Sequence, residues 1–310
     1  MTKALVVGPF DQEALARLRA VADVVQVPEI TFESVRPHLS DVEVLVTRRL
    51  VVDAHVFAAA PRLRLVVKPG SGFDEIDVVE AQRRGIPVRN TPGVNAPAVA
   101  ELTLGLLVGL VRAIPRHSLR LHDTRRWDRE QGVELYGKTL GVVGVGHVGS
   151  RVARLGQALE MRVVGCDPYI DPATAAAPLL PFDELLVRSD VVSFHVPLTV
   201  ETRDMVNARS LSRMKAGTFL LNMSRGEIVV ESEVIAALDT GRLAGYAADV
   251  LPGEVPGMEV TSPLLDHPKV LLTPHLGAWT AETDRRVCHA AVAIVEHWVD
   301  AGTRVSRAHP

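Results

Sequence analysis

The chain has 310 residues, of which 47% are hydrophobic and 4% aromatic, and its formal net charge is −3 at pH 7. This length accommodates two ordinary domains. The many Val, Ala and Leu residues favour buried parallel strands covered by helices, and the lack of excess basic charge predicts no nucleic-acid partner.

The cysteines and the hydropathy pattern indicate in which cellular compartment the protein is expected. Cys166 and Cys288 are far apart and lack metal-ligand spacing, so we predict no disulfide, no metal site and a reducing environment. The chain starts directly with a strand pattern, without the apolar core of a signal peptide. The most apolar window, 99–114, contains Glu101 and Arg112 and is too short to cross a bilayer. We expect a cytoplasmic protein that does not enter a membrane.

The first third of the chain alternates between strand and helix patterns. An amphipathic helix is predicted at 12–21, and strands are predicted at 3–8, 23–27, 42–47, 63–68 and 86–90. This alternation predicts a parallel α/β sheet. The segment 91–97, rich in Pro and Gly, is interpreted as a connection between domains.

A second α/β series follows a long apolar helix at 98–114, which is expected to end at Pro115. Its predicted strands are 139–144, 162–167, 191–196, 218–223, 245–250 and 269–274, and its helices include 148–159, 182–187 and 231–239. A final helix at 281–301 is expected to pack back on the first domain.

The stretch GVVGVGHVGS at 141–150 contains the spacing G-x-G-x-x-G between a predicted strand and a predicted helix. Gly144 permits a tight turn, Gly146 lets the backbone approach a pyrophosphate, and Gly149 allows close packing of helix on strand. Asp167, 18 residues after Gly149, ends the next strand and is placed to accept hydrogen bonds from a ribose. Together these features predict an NAD site.

Three residues follow later strands of the same series. Arg225 lies in NMSRGE, Glu254 lies in DVLPGEVPG, and His275 lies in TPHLGAWT. A histidine paired with a carboxylate suits proton transfer near neutral pH, and an arginine suits binding of a substrate carboxylate or polarised carbonyl. These residues form the predicted catalytic set.

The order and spacing of these motifs is similar to the D-isomer-specific 2-hydroxyacid dehydrogenases. GVGHVG, Asp167, HVPLT at 195–199, NMSRGE, AADV with the following GE, and TPHLG carry the resemblance, together with GSGFDEID at 70–77 and NTPGVNAPAVAELTLGLL at 90–107. The resemblance implies an α/β protein in which a Rossmann NAD-binding domain, 95–281, is inserted in a flavodoxin-like substrate domain, 1–94 and 282–310. It also implies a homodimer formed through the Rossmann domain and the helix near 98–114.

The resemblance assigns roles to residues. Arg225 would bind the substrate carboxylate and carbonyl, His275 would be the acid–base catalyst, and Glu254 would orient it. The substrate is expected to be a small 2-hydroxy or 2-keto acid, bound also by Lys68, Gly70, Ser71 and Gly72. The cofactor groove is expected to include Gly144, Gly146, His147, Val148, Gly149, Asp167, His195, Pro197, Thr202, Met223, Ser224, Asp249 and Gly277.

The chain departs from the family pattern near Glu254. Leu251 stands where a Phe is usual, and Val255 separates Glu254 from Pro256. Two alternatives stay open: an oxyanion dehydrogenase of the phosphite type, to which Lys68 points, and an NAD-binding corepressor-like protein without physiological turnover. The catalytic set does not exclude the corepressor, although such proteins carry additional terminal segments.

Overall fold

The computed structural model describes residues 1–254 and 259–307. Contacts divide the chain into two units, one formed by Met1–Asn95 with Trp279–Pro310 and the other by Ala96–Ala278. The boundaries expected from the sequence lie one residue earlier on the first side and three residues later on the second.

The amino-terminal segment of the first unit folds into a five-stranded parallel sheet with the order β2-β1-β3-β4-β5. This is the flavodoxin-like order, in which the chain reverses direction across the sheet after its second strand. The strands are β1 (Lys3–Val7), β2 (Asp23–Val27), β3 (Val44–Thr47), β4 (Leu65–Lys68) and β5 (Val88–Asn90). The helices are α1 (Gln12–Arg19), α2 (Phe32–Val35), α3 (Ala54–Ala59) and α4 (Val78–Arg83), with a 3₁₀ turn at Arg36–Asp41.

Both faces of this sheet are covered. Alternate residues of a strand point to opposite faces, so Leu5 of β1 packs in one apolar cluster with Phe57. Ala4 and Val6 pack in a second cluster with Leu15. Burial on both faces explains why the strands are continuously apolar rather than alternating.

The second unit contains a six-stranded parallel sheet with the order β11-β10-β9-β8-β6-β7. Its strands are β6 (Thr139–Val143), β7 (Arg162–Cys166), β8 (Val191–Phe194), β9 (Thr218–Asn222), β10 (Leu243–Ala248) and β11 (Val270–Leu272). Its helices are α5 (Ala96–Val111), α6 (Ile114–Thr124), α7 (His147–Ala158), α8 (Phe182–Arg188), α9 (Ala208–Arg213) and α10 (Glu231–Asp239), with 3₁₀ turns at Gly226–Ile228 and Pro263–Asp266. A single parallel bridge between Gly165 and Leu179 extends the sheet beyond β7. With that bridge the order is that of a Rossmann sheet, and β6 lies at the point where the order reverses.

The region around Pro115 differs from the expectation of one helix at 98–114. Helix α5 ends at Val111, Ala113 adopts a left-handed conformation with φ of 49°, and Pro115 lies in the first turn of the new helix α6. Proline is tolerated there because first-turn N–H groups have no partner within the helix. Pro115 therefore starts a helix rather than ending one.

No single helix among the described residues is both long and apolar enough to cross a bilayer. Only α5 and α6 taken together reach that length and hydropathy, and a bend of 59° separates them. The apolar side chains of α5, among them Leu106 and Leu107, belong to the core of the second unit.

The last helix, α11 (Ala281–Arg307), returns to the first unit. Its buried residues Cys288, Ala291, Val292 and Val295 complete the apolar cluster that contains Ala4 and Val6. The second face of the first sheet is thus covered from the far end of the chain.

Candidate active site

The predicted site residues of the second unit gather at one edge of its sheet. Because all six strands are parallel, their carboxyl ends lie at the same edge. The residues that follow these ends are Gly144 after β6, Asp167 after β7, His195 after β8, Arg225 after β9, Asp249 after β10 and His275 after β11. In an open parallel sheet this edge is where ligands bind.

The glycine turn after β6 has the geometry that a dinucleotide requires. Gly144 has a φ of 85°, and a Cβ there would lie 2.5 Å from the backbone oxygen of His195. A Cβ on Gly149 would lie 1.9 Å from the Gly144 carbonyl oxygen, whereas a Cβ on Gly146 would meet no atom within 4 Å. The turn is closed on the protein side and open at Gly146.

Helix α7 begins immediately after this opening. Its N-cap is Gly146, and none of the described side chains caps its first turn. The N–H groups of the first turn and the positive end of the helix dipole are therefore available to a pyrophosphate. His147 and Val148 are its first two residues, and the fit to a bound dinucleotide is good.

Asp167 is held close to the glycine turn. Its Oδ2 accepts a hydrogen bond from Val145 N at 2.9 Å, and its Oδ1 accepts one from Tyr169 N at 3.0 Å. Each carboxylate oxygen keeps a further lone pair. The carboxylate is fixed beside the turn and retains the capacity to accept hydrogen bonds from ribose hydroxyls.

The loop after β8 is tied to the neighbouring strand ends. Val196 N donates to Ser224 Oγ at 2.9 Å, and Thr202 Oγ1 donates to Pro197 O at 2.6 Å. His195 Nε2 lies 2.9 Å from Ser193 Oγ, while its buried Nδ1 has no partner among the described residues. Burial lowers the pKa of His195 to about 3, so the ring is neutral at physiological pH.

The turn that carries Arg225 is organised by Asn222, the last residue of β9. The fully buried amide accepts from Ser224 N at 3.0 Å and donates to Arg225 O at 2.9 Å. Arg225 is half-buried, and its guanidinium donates to Ser224 O at 2.8 Å. A Cβ on the next residue, Gly226, would lie 2.1 Å from the Leu251 carbonyl carbon, so the loop leading to Glu254 packs directly on this turn.

Asp249 organises the loop that carries His275. This carboxylate is 3% exposed and accepts from Thr273 Oγ1 at 2.6 Å, Leu276 N at 2.7 Å and Gly277 N at 2.7 Å. Its backbone oxygen accepts from His275 N at 2.9 Å. Burial raises the pKa of Asp249, and the three donors oppose that shift.

His275 and Glu254 form a direct pair. The Nδ1 of His275 is hydrogen-bonded to Glu254 Oε1, and Glu254 Oε2 accepts a long bond from Leu251 N at 3.4 Å. Since a carboxylate only accepts, Nδ1 carries a proton and Nε2 is the nitrogen left for exchange. The bond to Glu254 raises the pKa of His275, while partial burial and the charge of Arg225 oppose the shift. An imidazole whose pKa is raised by a carboxylate, and a half-buried guanidinium, thus follow strands of the same sheet edge.

The residues predicted to contact substrate in the first unit are Lys68, the last residue of β4, and the loop that follows it. Gly70 has a φ of 132° and its N–H donates to Thr91 Oγ1 at 2.8 Å, while Ser71 Oγ donates to Asn95 Oδ1 at 2.8 Å. Gly72 completes the loop. Lys68 is 7% exposed, ion-paired with Glu75 at 2.9 Å, and hydrogen-bonded to Arg48 O. Glu75 and the Arg48 carbonyl oxygen already bind its ammonium group within the first unit, which weakens the case for an oxyanion dehydrogenase of the phosphite type.

One cluster in the first unit has metal-ligand residue types. Ligand atoms of Asp11, Glu13 and His289 lie within 4.8 Å of one another. Arg17 Nη1 is 3.2 Å from His289 Nδ1 and Arg285 Nε is 3.9 Å from Asp11 Oδ2. Two neighbouring guanidinium groups disfavour a cation there.

Sequence reasoning missed two residues of the site. Asn222 holds the Arg225 turn, and Thr273 donates to Asp249. The available signal for both was a polar residue at the end of an apolar strand. Asn222 is the last residue of β9, and Thr273 is the first residue after β11. The predicted irregularity at Val255 and Pro256 lies outside the described residues.

The chain is similar to known sequences over most of its length. A family model described as the NAD-binding domain of D-isomer specific 2-hydroxyacid dehydrogenases matches residues 104–277. A hydroxypyruvate reductase from Thermotoga maritima is 36% identical over 287 residues, which cover 90% of this chain and 92% of that protein. A D-3-phosphoglycerate dehydrogenase from Methanocaldococcus jannaschii is 36% identical over 292 residues, and this chain spans only 55% of its length.

Solved structures give the same relationship for the fold. The D-lactate dehydrogenase from Aquifex aeolicus, complexed with NAD and lactic acid, superposes with a TM-score of 0.85 at 26% sequence identity. The match covers 97% of this chain and 96% of that one. The similarity therefore extends over both units.

Proposed function

The chain belongs to the D-isomer specific 2-hydroxyacid dehydrogenases, an NAD-dependent family, and we propose that Arg225, Glu254 and His275 carry its reaction. The reaction interconverts a D-2-hydroxy acid and its 2-keto acid. The single observation that supports this assignment best is the His275–Glu254 pair at the same strand edge as Arg225 and the glycine turn.

In the direction of reduction, the glycine turn at 144–149 and Asp167 would hold NADH, which would supply the hydride for C2 of the keto acid. Arg225 binds the substrate carboxylate and stabilises the negative charge that develops on the carbonyl oxygen. His275 donates the proton on Nε2 to that oxygen, which completes the hydroxyl group. Glu254 keeps Nδ1 protonated and holds the imidazolium in place.

The first unit is proposed to contribute the loop Gly70–Gly72. Backbone N–H groups of this loop would bind the substrate carboxylate. The bonds from Gly70 to Thr91 and from Ser71 to Asn95 support this role, because they fix the loop before substrate arrives.

The test is oxidation of NADH in the presence of glyoxylate, pyruvate, hydroxypyruvate, bulkier 2-keto acids and 3-phosphohydroxypyruvate. We expect turnover with at least one of them and a loss of at least about a hundredfold in kcat for His275→Gln. NADH binding by that variant should change little, which separates loss of chemistry from loss of fold. Absence of turnover across the panel, with NADH bound, would overturn the assignment.

We also propose a homodimer. None of the described side chains of α6 is buried, and Ile114, Leu119 and Leu121 are 51%, 64% and 40% exposed. A second copy would cover these exposed apolar side chains, which are costly to leave in water. Leu119→Glu should convert a dimer to a monomer in light scattering coupled to size-exclusion chromatography.

We propose a cytoplasmic location because of how the chain uses cysteine. Cys166 and Cys288 are both free thiols, which suits a reducing compartment. Cell fractionation of the native protein tests this directly.

A further inference from the structure

Arg49 and Trp279 form a stacked pair in the first unit. The guanidinium carbon of Arg49 lies 5.0 Å from the centroid of the indole ring. Arg49 is exposed and Trp279 is 63% exposed. A guanidinium stacked on a ring keeps its N–H donors pointing outward in its own plane, where they are free to bind an anion bidentately.

Among the described residues Arg49 has no carboxylate partner, unlike its neighbours. Arg48 pairs with Asp284, and Lys68 pairs with Glu75. Within the described residues no carboxylate lies within ion-pair distance of Arg49. The ring holds the cation in place, and no acidic side chain occupies its donors.

Arg49 lies at the edge of the sheet where the predicted substrate loop lies. β3 and β4 are adjacent and parallel, with Val46 in register with Val67. Arg49 follows β3 and Gly70 follows β4, so both leave the carboxyl edge of the sheet. The hydrogen bond from Lys68 to Arg48 O joins the two segments.

We propose that Arg49, supported by Trp279, binds a second anionic group of the substrate, distinct from the carboxylate next to the carbonyl. The inference deepens the proposed function and rests on it. It assigns the substrate to 2-keto acids that carry a distal carboxylate or phosphate. A planar guanidinium accommodates either group through paired hydrogen bonds.

The test compares keto acids that differ only in the distal anion. Hydroxypyruvate is paired with 3-phosphohydroxypyruvate, and 2-ketobutyrate is paired with 2-ketoglutarate, so that the phosphate and carboxylate forms are read separately. The wild type should show at least about a tenfold higher kcat/KM for the anionic member of one pair, since hydrogen bonds to charged groups are worth about that much. Arg49→Gln should remove most of that ratio through KM, and Arg49→Lys should retain part of it.

Arg64 provides a matched control. It is also an arginine stacked on a tryptophan of the first unit, with its guanidinium 5.2 Å from the Trp298 ring, but it precedes β4 at the opposite edge. It also has a carboxylate partner, Glu43, at 3.5 Å. Arg64→Gln should leave the ratio between anionic and neutral substrates at its wild-type value.

A binding measurement separates this inference from the proposed function. Titration with inorganic phosphate should change the tryptophan fluorescence saturably, and the change should vanish in Arg49→Gln and in Trp279→Phe. If keto acids are reduced without preference for the anionic member, or if Arg49→Gln keeps that preference, the inference is wrong and the proposed function stands. If no keto acid is reduced, the proposed function fails, and the phosphate titration alone decides whether Arg49 is an anion site.

Discussion

Asp249 holds His275 in a conformation that a histidine rarely adopts. The φ of His275 is 53°, in the left-handed region, which costs about 1–2 kcal/mol for a residue with a side chain. The Asp249 carboxylate accepts from the N–H groups of Leu276 and Gly277, and its backbone oxygen accepts from that of His275. The backbone strain at the proposed catalytic residue is thus offset by hydrogen bonds to Asp249, which directly follows the adjacent strand β10.

Asp249→Asn should relax this loop. The amide nitrogen of Asn would face N–H donors that the carboxylate now accepts, so at least one bond to a charged acceptor is lost. We expect kcat to fall at least about tenfold and the free energy of unfolding to fall by about 1.5–3 kcal/mol. Urea unfolding and steady-state kinetics measure the two effects.

Thr273→Val is the matched comparison for that variant. It removes only the hydroxyl that donates to Asp249 Oδ1 and keeps the charge. Its effect on kcat should be smaller than that of Asp249→Asn. Equal effects would mean that the carboxylate acts through Thr273 rather than through the backbone of the His275 loop.

The pH dependence of reduction should depend on Glu254. The bond to this carboxylate raises the pKa of His275, so the proton-donating form persists to higher pH and reduction declines as pH rises through that raised pKa. In Glu254→Gln the pKa of His275 should fall, and the descending limb of kcat against pH should move to lower pH. An unmoved limb would show that another group titrates in the profile.

The sequence predicted the two-sheet α/β fold, the NAD cofactor and the family, and the comparisons confirm all three. These features depend on local patterns: apolar strands, glycine spacing and polar residues at strand ends. The predicted ends of helices were less accurate where one residue is compatible with two different structures. Pro115 indicates either the end of a helix or the first turn of the next one, and only the turn at Ala113 decides between them.

The hydrogen bonds and ion pairs that hold the site residues in place could not be predicted, because they join segments that are distant in the sequence. Asp249 was expected in the cofactor groove, which stays a prediction, but nothing in the sequence indicates that it accepts hydrogen bonds from Thr273 and Gly277. Likewise the pairing of Lys68 with Glu75 depends on how the loop after β4 folds back. Residue types at strand ends predict the chemistry, whereas their hydrogen bonds depend on tertiary structure.

Asp167 should determine the choice between NAD and NADP. Its carboxylate is fixed by Val145 N and would repel a 2′-phosphate on the ribose. Asp167→Asn keeps the size of the side chain and removes the charge, so the ratio of kcat/KM for NADH over NADPH should fall several-fold. A ratio equal to that of the wild type would exclude the carboxylate as the discriminating group.

The glycines of the turn should separate into structural and cofactor-contacting positions. A Cβ at Gly149 would lie 1.9 Å from the Gly144 oxygen, which is backbone and cannot rotate away. Gly149→Ala should therefore lower the free energy of unfolding by about 1–3 kcal/mol or more. Gly146 has a φ of −73° and open space around its Cβ position, so Gly146→Ala should change stability by no more than about 0.5 kcal/mol.

Cofactor affinity should rank these two variants the other way round, with Gly146→Ala the more affected. The methyl group of Gly146→Ala would occupy the space through which a pyrophosphate reaches the backbone, so the Kd for NADH should rise about tenfold, or about 1.4 kcal/mol. Thermal unfolding with and without NADH measures both quantities in one series, because the rise in Tm on ligand binding grows with the logarithm of the affinity at a fixed ligand concentration. If Gly146→Ala binds NADH like the wild type, the pyrophosphate does not approach at Gly146, and the opening in the turn is not where the cofactor lies.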